Sequence, residues 1–169
     1  VVTSLLPVAA NAAEVNVYSS RKEALIKPLL DQFSEKTGIE VNLLTGNSDA
    51  LLARLKSEGE YTAADLFLTV DAGALHRAVE ADVFQPVSSQ RINQVVPEHF
   101  RSDDDHWVGL SLRARPIFYS PERVDPSQLS DYLSLADEQW NDRICIRSSN
   151  NLYNQSLVAA LIEHHGADN

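Results

Sequence analysis

The segment RSSNNLYNQS at residues 147–156 places a single tyrosine among small hydrogen-bonding side chains, directly before the apolar run LVAALIEHH. A tyrosine needed only for packing more often lies inside the apolar pattern itself. Tyr153 is therefore interpreted as presented to a ligand. A phenolate oxygen is a hard anionic donor, and a phenol loses its proton as it coordinates a cation. The alternative is a simple helix cap with Tyr153 packed beneath it.

The residues around Tyr153 can also bind an anion. The N–H groups at a helix N-terminus, together with Ser148, Ser149 and Asn150, favour negative charge. A nearby arginine would reinforce this preference, because its planar fork matches a carbonate edge. Asn154 and Gln155 can orient the phenolate by hydrogen bonding without contacting the metal.

The elements that must position these residues are strands and helices in alternation. Strand-like and helix-like runs follow one another three times over residues 15–84, with strands at VNVYSS, IEVNLL and ADLFLTV. Gly38 stops the first helical pattern, as a C-terminal glycine does. Three βα repeats predict an α/β fold whose parallel-rich sheet has helices on both faces.

The pattern changes after Phe84. WVGLSL and RPIFYS predict two strands, a helix is expected around residues 125–140, and RICIR predicts a buried strand that contains Cys145. The SDDD run with His106 is typical of a solvated turn. A metal site in that turn is the less favoured alternative, with the candidate ligands Asp103, Asp104, Asp105 and His106.

The N-terminus resembles the end of a secretory signal. Val1 to Ala9 are apolar or small, and Ala10, Asn11 and Ala12 have the small-x-small form of a signal-peptidase site. Export to the periplasm is therefore expected, with a short hydrophobic strand as the alternative. No other stretch approaches the roughly 18 apolar residues that a membrane span requires.

Composition and motifs exclude several functions. The formal charge of −10 argues against nucleic acid and anionic membranes as partners, because the field of the protein would repel phosphate. There is no glycine-rich phosphate loop, HExxH helix or GxSxG turn, so the chain is not expected to be an enzyme. His164 and His165 are adjacent and cannot chelate one ion from a single helix face.

Several ordered blocks resemble one family. VYSSRKEALIKPLLDQFSEKTGIEVN, ADLFLTVDAGALHRAVEADVFQPV, GLSLRARPIFYSPERV and RICIRSSNNLYNQSLVAALIEHHG are similar to the periplasmic ferric-ion-binding proteins of iron ABC importers. The resemblance implies a type II periplasmic-binding-protein-like fold, with two lobes and iron in the cleft between them. It also implies a longer chain, of which these residues form the N-terminal half and leave the second lobe incomplete.

The resemblance divides the chain into four parts. Residues 1–13 are the rest of a signal peptide, 14–105 the first α/β lobe, 106–120 the interlobe crossing strands, and 121–169 the start of the second lobe.

The resemblance also assigns roles to particular residues. Tyr153, in the YNQS motif, is implied to be an iron ligand. Tyr18 is a second candidate ligand, used by a subgroup, with a structural tyrosine as the alternative. Arg21 and Arg113 resemble positions that hold a synergistic anion such as carbonate, although Arg113 can also be an ordinary exposed arginine.

Two ligand motifs of the family are missing from this sequence. Lys22 and Glu23 occupy the places where some members have a histidine or a His-Tyr pair, and no adjacent tyrosine pair is present. We therefore expect the chain by itself to bind iron weakly.

The favoured hypothesis is a monomeric carrier that binds Fe(III) together with a synergistic anion. It would deliver the iron to an inner-membrane ABC permease. The identity of that anion stays open between carbonate, citrate and water. One alternative is a binding protein for another small ligand such as an oxyanion. Another is a non-transport α/β interaction domain.

Overall fold

The computed structural model describes residues 13–167, so the predicted signal-peptide segment lies outside the described residues apart from Ala13. The contacts divide the chain into two compact units, one up to Gln85 and one from Pro86 onward. We call them the N-terminal and C-terminal units. The lobe limits given by the family resemblance are not tested by this division and stay a prediction.

The N-terminal unit is built on a three-stranded parallel sheet in the order β2-β1-β3. The strands are β1 (Glu14–Ser19), β2 (Glu40–Thr45) and β3 (Leu66–Leu68). β1 lies in the centre and pairs along its whole length with β2. The predicted parallel sheet is confirmed, although β3 is shorter than the seven-residue run ADLFLTV.

Helices α1 (Glu23–Thr37), α2 (Ser48–Glu58) and α3 (Ala72–Glu80) follow the three strands in turn. Asn47 and Asp71 cap α2 and α3, because their side-chain oxygens accept from the backbone N–H two residues later. Gly38 ends α1 in the left-handed region at φ 72°, which glycine adopts without a steric cost. The sequence therefore specifies where these helices begin or end.

The core of the N-terminal unit joins the central strand to α2. Tyr18, Leu51 and Leu55 form a buried cluster, and Leu44 and Phe67 from the flanking strands pack against it. Val17 and Ser19 of β1 are almost completely buried. This core fixes the end of β1, which contains the predicted site residue Tyr18 and is followed by Arg21.

The C-terminal unit contains α4 (Gln90–Val95) and α5 (Leu152–His165), with short 3-10 turns between them. Helix α4 was not predicted from the sequence. The helix expected around residues 125–140 is wrong, because that region forms three separate turns instead. These turns span Pro126–Gln128, Leu133–Ala136 and Glu138–Trp140.

The predicted strands of the C-terminal unit are also wrong. Between residues 106 and 148 of the described chain, Val108 makes one isolated bridge to Arg101 and no strand forms. Cys145 is exposed rather than buried. Alternating apolar residues define a strand face, but a strand also needs a neighbour for its backbone hydrogen bonds, and the described residues offer none here.

Within residues 13–167, no helix has the length and apolar character needed to cross a membrane.

Candidate metal centre

Tyr153 is the second residue of α5, and the beginning of that helix is fixed by Asn151. The Oδ1 atom of Asn151 accepts from the backbone N–H of Tyr153 at 3.2 Å, and its carbonyl oxygen accepts from Asn154 and Gln155. Asparagine is among the preferred N-cap residues because its short side chain can satisfy these otherwise unpaired donors. The cap therefore fixes the backbone position from which the Tyr153 side chain projects.

The hydroxyl oxygen of Tyr153 lies beside two guanidinium groups. Nη1 of Arg113 donates to Tyr153 Oη at 2.9 Å, and the guanidinium carbon of Arg113 is 5.5 Å from the ring centroid. The guanidinium carbon of Arg147 lies 5.9 Å from the same centroid. Both arginines are exposed, while Tyr153 is half-buried. The oxygen thus accepts from a cation, an arrangement that is compatible with an anionic phenolate.

Arg113 was predicted from the sequence as an anion-holding residue, whereas Arg147 had no predicted role. Arg147 and Tyr153 are six residues apart across a loop, so no helical or strand periodicity connects them. Only the folded loop brings them together. An arginine at the start of a polar segment was the sole signal available in the sequence.

The loop before α5 is held by bonds among its own residues. Ser148 Oγ donates to Asn150 Oδ1 at 2.5 Å, and Gln155 Nε2 donates to the carbonyl oxygen of Ser149 at 3.1 Å. Ser148, Ser149 and Asn150 are exposed. An anion there would have to replace the bond between Ser148 and Asn150, so their predicted anion-binding role stays a prediction.

Asn154 and Gln155 were predicted to orient the phenolate. In the described residues the hydrogen bond to the Tyr153 hydroxyl comes from Arg113, and Gln155 instead braces the loop through Ser149. The Oδ1 atom of Asn154 is buried and accepts no hydrogen bond from the part of the chain described. The orienting role of these two amides stays a prediction.

Tyr18, the second candidate ligand, lies in the core of the N-terminal unit with 5% of its surface exposed. Its hydroxyl donates to both carboxylate oxygens of Glu58, at 3.2 and 3.1 Å. Glu58 also accepts from Arg54 Nε at 2.5 Å and from Thr62 Oγ1 at 2.7 Å. These bonds, of which Arg54 contributes most, lower the pKa of Glu58 below its ordinary value.

The bond between Tyr18 and Glu58 exists only while the phenol keeps its proton. Coordination to a metal would remove that proton and leave a phenolate against a carboxylate. The arrangement is what a structural tyrosine requires, and the ligand role of Tyr18 stays a prediction.

Arg21 follows β1 at the carboxyl edge of the sheet. Its backbone N–H donates to the buried Ser19 Oγ at 3.1 Å, which fixes the backbone as the chain leaves the strand. The predicted anion-holding role of its side chain is not tested by these contacts and stays a prediction.

The alternative metal site at Asp103 to His106 is folded as a hydrogen-bonded turn. Asp104 Oδ2 lies 2.7 Å from His106 Nδ1, and Ser102 Oγ accepts from the backbone N–H of His106. Hydrogen bonds from Ser102 and then His106 lower the pKa of Asp104. Residues 13–167 contain no cluster of three histidine, cysteine or carboxylate side chains that could hold a metal ion.

The chain contains a parallel α/β unit and, in its C-terminal unit, a polar cluster of one phenol and two guanidinium groups. A family model described as bacterial extracellular solute-binding protein matches residues 62–169, and a second with the same description matches residues 15–100. The chain belongs to this family.

Among curated relatives, iron uptake protein A1 of Synechocystis sp. is 48% identical over 155 residues, which cover 92% of this chain and 43% of that protein. The Fe(3+)-binding periplasmic protein of Serratia marcescens is 32% identical over 151 residues, covering 89% of this chain and 44% of that protein. The chain therefore spans about half the length of the curated relatives it matches.

Solved structures confirm the type II periplasmic-binding-protein-like fold over this half. Trichodesmium FutA, in complex with iron and citrate ligands, is 50% identical with a TM-score of 0.85, covering 91% of this chain and 49% of that one. Apo ferric ion-binding protein A of Pasteurella haemolytica is 44% identical with a TM-score of 0.84, covering 93% of this chain and 49% of that one.

Proposed function

We propose that this chain forms part of the periplasmic substrate-binding component of an Fe(III) ABC importer. In this proposal Tyr153 is a phenolate ligand to ferric iron, and Arg113 holds a synergistic anion beside the metal. The protein is a carrier rather than an enzyme, works as a monomer, and delivers its cargo to an inner-membrane permease. Relatives named for iron uptake and ferric binding support this proposal.

The observation that carries the proposal is the hydrogen bond from Arg113 to the Tyr153 oxygen. Ferric iron prefers hard anionic oxygen donors, and the tyrosine must lose its proton to become one. A guanidinium donor remains a good partner after that proton has left, because charge-assisted bonds to an anion are the stronger ones. Since coordination releases a proton, iron binding weakens at acid pH.

The chain supplies only part of a coordination shell in this proposal. Its five tyrosines include no adjacent pair, and the curated relatives are about twice as long. One phenolate and an anion leave other positions on the metal to water. Weak ferric binding by the 169 residues is therefore expected, with a carbonate, citrate or water molecule beside Tyr153.

A titration followed by visible spectroscopy tests the function. Ferric iron is added with bicarbonate or citrate to the 169-residue chain, and the phenolate-to-iron charge-transfer band is recorded. We expect a band that Tyr153→Phe removes. Tyr119→Phe is the matched control, because Tyr119 is an exposed tyrosine of the same unit and should leave the band unchanged.

The same titration of tyrosine variants distinguishes Tyr153 from Tyr18 as the metal ligand. A band that persists in Tyr153→Phe removes Tyr153 from the coordination shell, and loss of the band in Tyr18→Phe assigns the metal to Tyr18 instead. An oxyanion carrier is the second candidate, supported by the two exposed arginines beside Tyr153. It would bind the anion and stay colourless when iron is added.

A further inference from the structure

Two arginines beside Tyr153 form no ion pair with a carboxylate in the described part of the chain. The ion pairs there involve other cations, including Arg54 and Arg77. The chain has 24 acidic residues against 14 lysines and arginines, so an arginine has many potential partners. Arg113 and Arg147 nevertheless both face the ring of one tyrosine.

The charges of this cluster determine which ligand it accepts. Two guanidinium groups beside a single tyrosine oxygen leave this cluster with a net positive charge before any metal arrives. A bare ferric ion would meet repulsion from both arginines, whereas an anion with two or more charges would compensate them. Guanidinium groups bind planar carboxylate and carbonate edges through two parallel N–H donors.

We infer that Arg147 is a second anion-holding residue, which together with Arg113 selects a multiply charged carboxylate as the companion of the metal. This inference rests on the proposed function and deepens it. The cargo is then an anionic ferric chelate rather than the bare ion. Arg147 reaches the ring from the loop before α5, whereas Arg113 reaches the hydroxyl from a distant part of the sequence. In this inference one polycarboxylate contacts both groups, because their guanidinium carbons lie 5.5 and 5.9 Å from the same ring centroid.

A metal-free titration tests this selection directly. Citrate and acetate are titrated separately into the 169-residue chain by isothermal calorimetry without iron. We expect citrate to bind at least about tenfold more tightly than acetate, because it can contact both guanidinium groups. Arg147→Gln should weaken citrate binding about tenfold, so that its affinity for citrate approaches its affinity for acetate. Arg147→Lys should give an intermediate value, since it keeps the charge but loses the fork.

Arg115→Gln is the matched control. It removes the same charge from an exposed residue two positions from Arg113, and the Arg115 side chain has no hydrogen bond, ion pair or ring contact in the described residues. Citrate affinity should not change in this variant. Far-ultraviolet circular dichroism and the melting temperature show whether each variant is folded.

A second arm separates this inference from the proposed function. Ferric citrate is added to the same proteins, and the visible band is followed as the citrate concentration rises. In Arg147→Gln the band should lie at the same wavelength, but a higher citrate concentration should be needed to develop it. A missing band in the unsubstituted chain contradicts the iron function, while the metal-free titration still decides the role of Arg147.

Either of two results overturns the inference. One is that the unsubstituted chain binds citrate no better than acetate. The other is that Arg147→Gln behaves like Arg115→Gln in the metal-free titration.

Discussion

The two candidate ligand tyrosines differ in the group that faces the phenol oxygen. Tyr153 Oη accepts a hydrogen bond from Arg113, whereas Tyr18 Oη donates one to Glu58. The first bond is compatible with a phenolate, and the second requires the proton that coordination removes. In the sequence both tyrosines lie beside polar segments, so the sequence alone does not distinguish them. The charge of a neighbour that is 40 residues away distinguishes them.

Glu58 provides a pH-dependent contribution to stability at the residue scale. Its pKa is lowered in the folded chain, chiefly by Arg54 and then by Thr62 and Tyr18, from an ordinary value of 4.5. A depressed carboxyl pKa stabilises the fold above the ordinary value, and this stabilisation is lost as the pH falls through the lower folded value. We therefore expect the free energy of unfolding to fall more steeply below about pH 4.5 in the unsubstituted chain than in Glu58→Gln.

Urea unfolding at a series of pH values, from neutrality to about pH 3, measures this difference. Glu60→Gln is the control, because it removes a neighbouring acidic charge that makes no hydrogen bond or ion pair in the described residues. Its pH profile should follow that of the unsubstituted chain. Equal slopes for Glu58→Gln and the unsubstituted chain would show that the Glu58 bonds do not stabilise the fold.

At the element scale, the cap of α5 determines the position of the candidate site. Asn151→Ala removes the acceptor for the Tyr153 N–H and should reduce the free energy of unfolding by about 0.5–2 kcal/mol. It should also weaken the ferric band, since the first turn frays and Tyr153 loses its fixed direction. Urea unfolding and the visible titration measure the two effects.

Asn150→Ala is the control for this prediction. Asn150 is exposed and accepts from Ser148 but does not cap α5, so its stability effect should stay within about 0.5 kcal/mol. If both variants lose stability equally, the loop rather than the cap holds the start of the helix.

The sequence predicted the elements of the N-terminal unit and the last helix well, because caps and hydrophobic periodicity coincide there. Asn47, Asp71 and Asn151 each accept a backbone hydrogen bond at the start of a helix. The strands predicted at WVGLSL, RPIFYS and RICIR failed for a different reason. Their side-chain pattern is local, but a strand depends on hydrogen bonds to a partner elsewhere in the chain. No local pattern can supply that partner.

At the scale of the whole molecule, burial is unequal between the two units. Of the buried hydrophobic side chains in residues 13–167, Trp140 belongs to the C-terminal unit and the others to the N-terminal unit. Large apolar residues of the C-terminal unit are exposed, among them Leu112 at 72% and Phe118 at 89%. Since burial of apolar surface is the main source of stability, the C-terminal unit is expected to open more readily.

Amide hydrogen exchange measures this inequality residue by residue. Exchange should be slowest in β1, where Val17 and Tyr18 are buried and the strand pairs with a neighbour on each side. It should be fast in residues 143–148, which form no strand and are exposed. Under the proposed function, ferric citrate should slow exchange in the first turns of α5 and leave β1 unchanged, because Tyr153 is the ligand. Tyr153→Phe is the control and should abolish that protection. Equal exchange in β1 and residues 143–148 would contradict the difference in stability, and protection in Tyr153→Phe would place the ligand contact elsewhere.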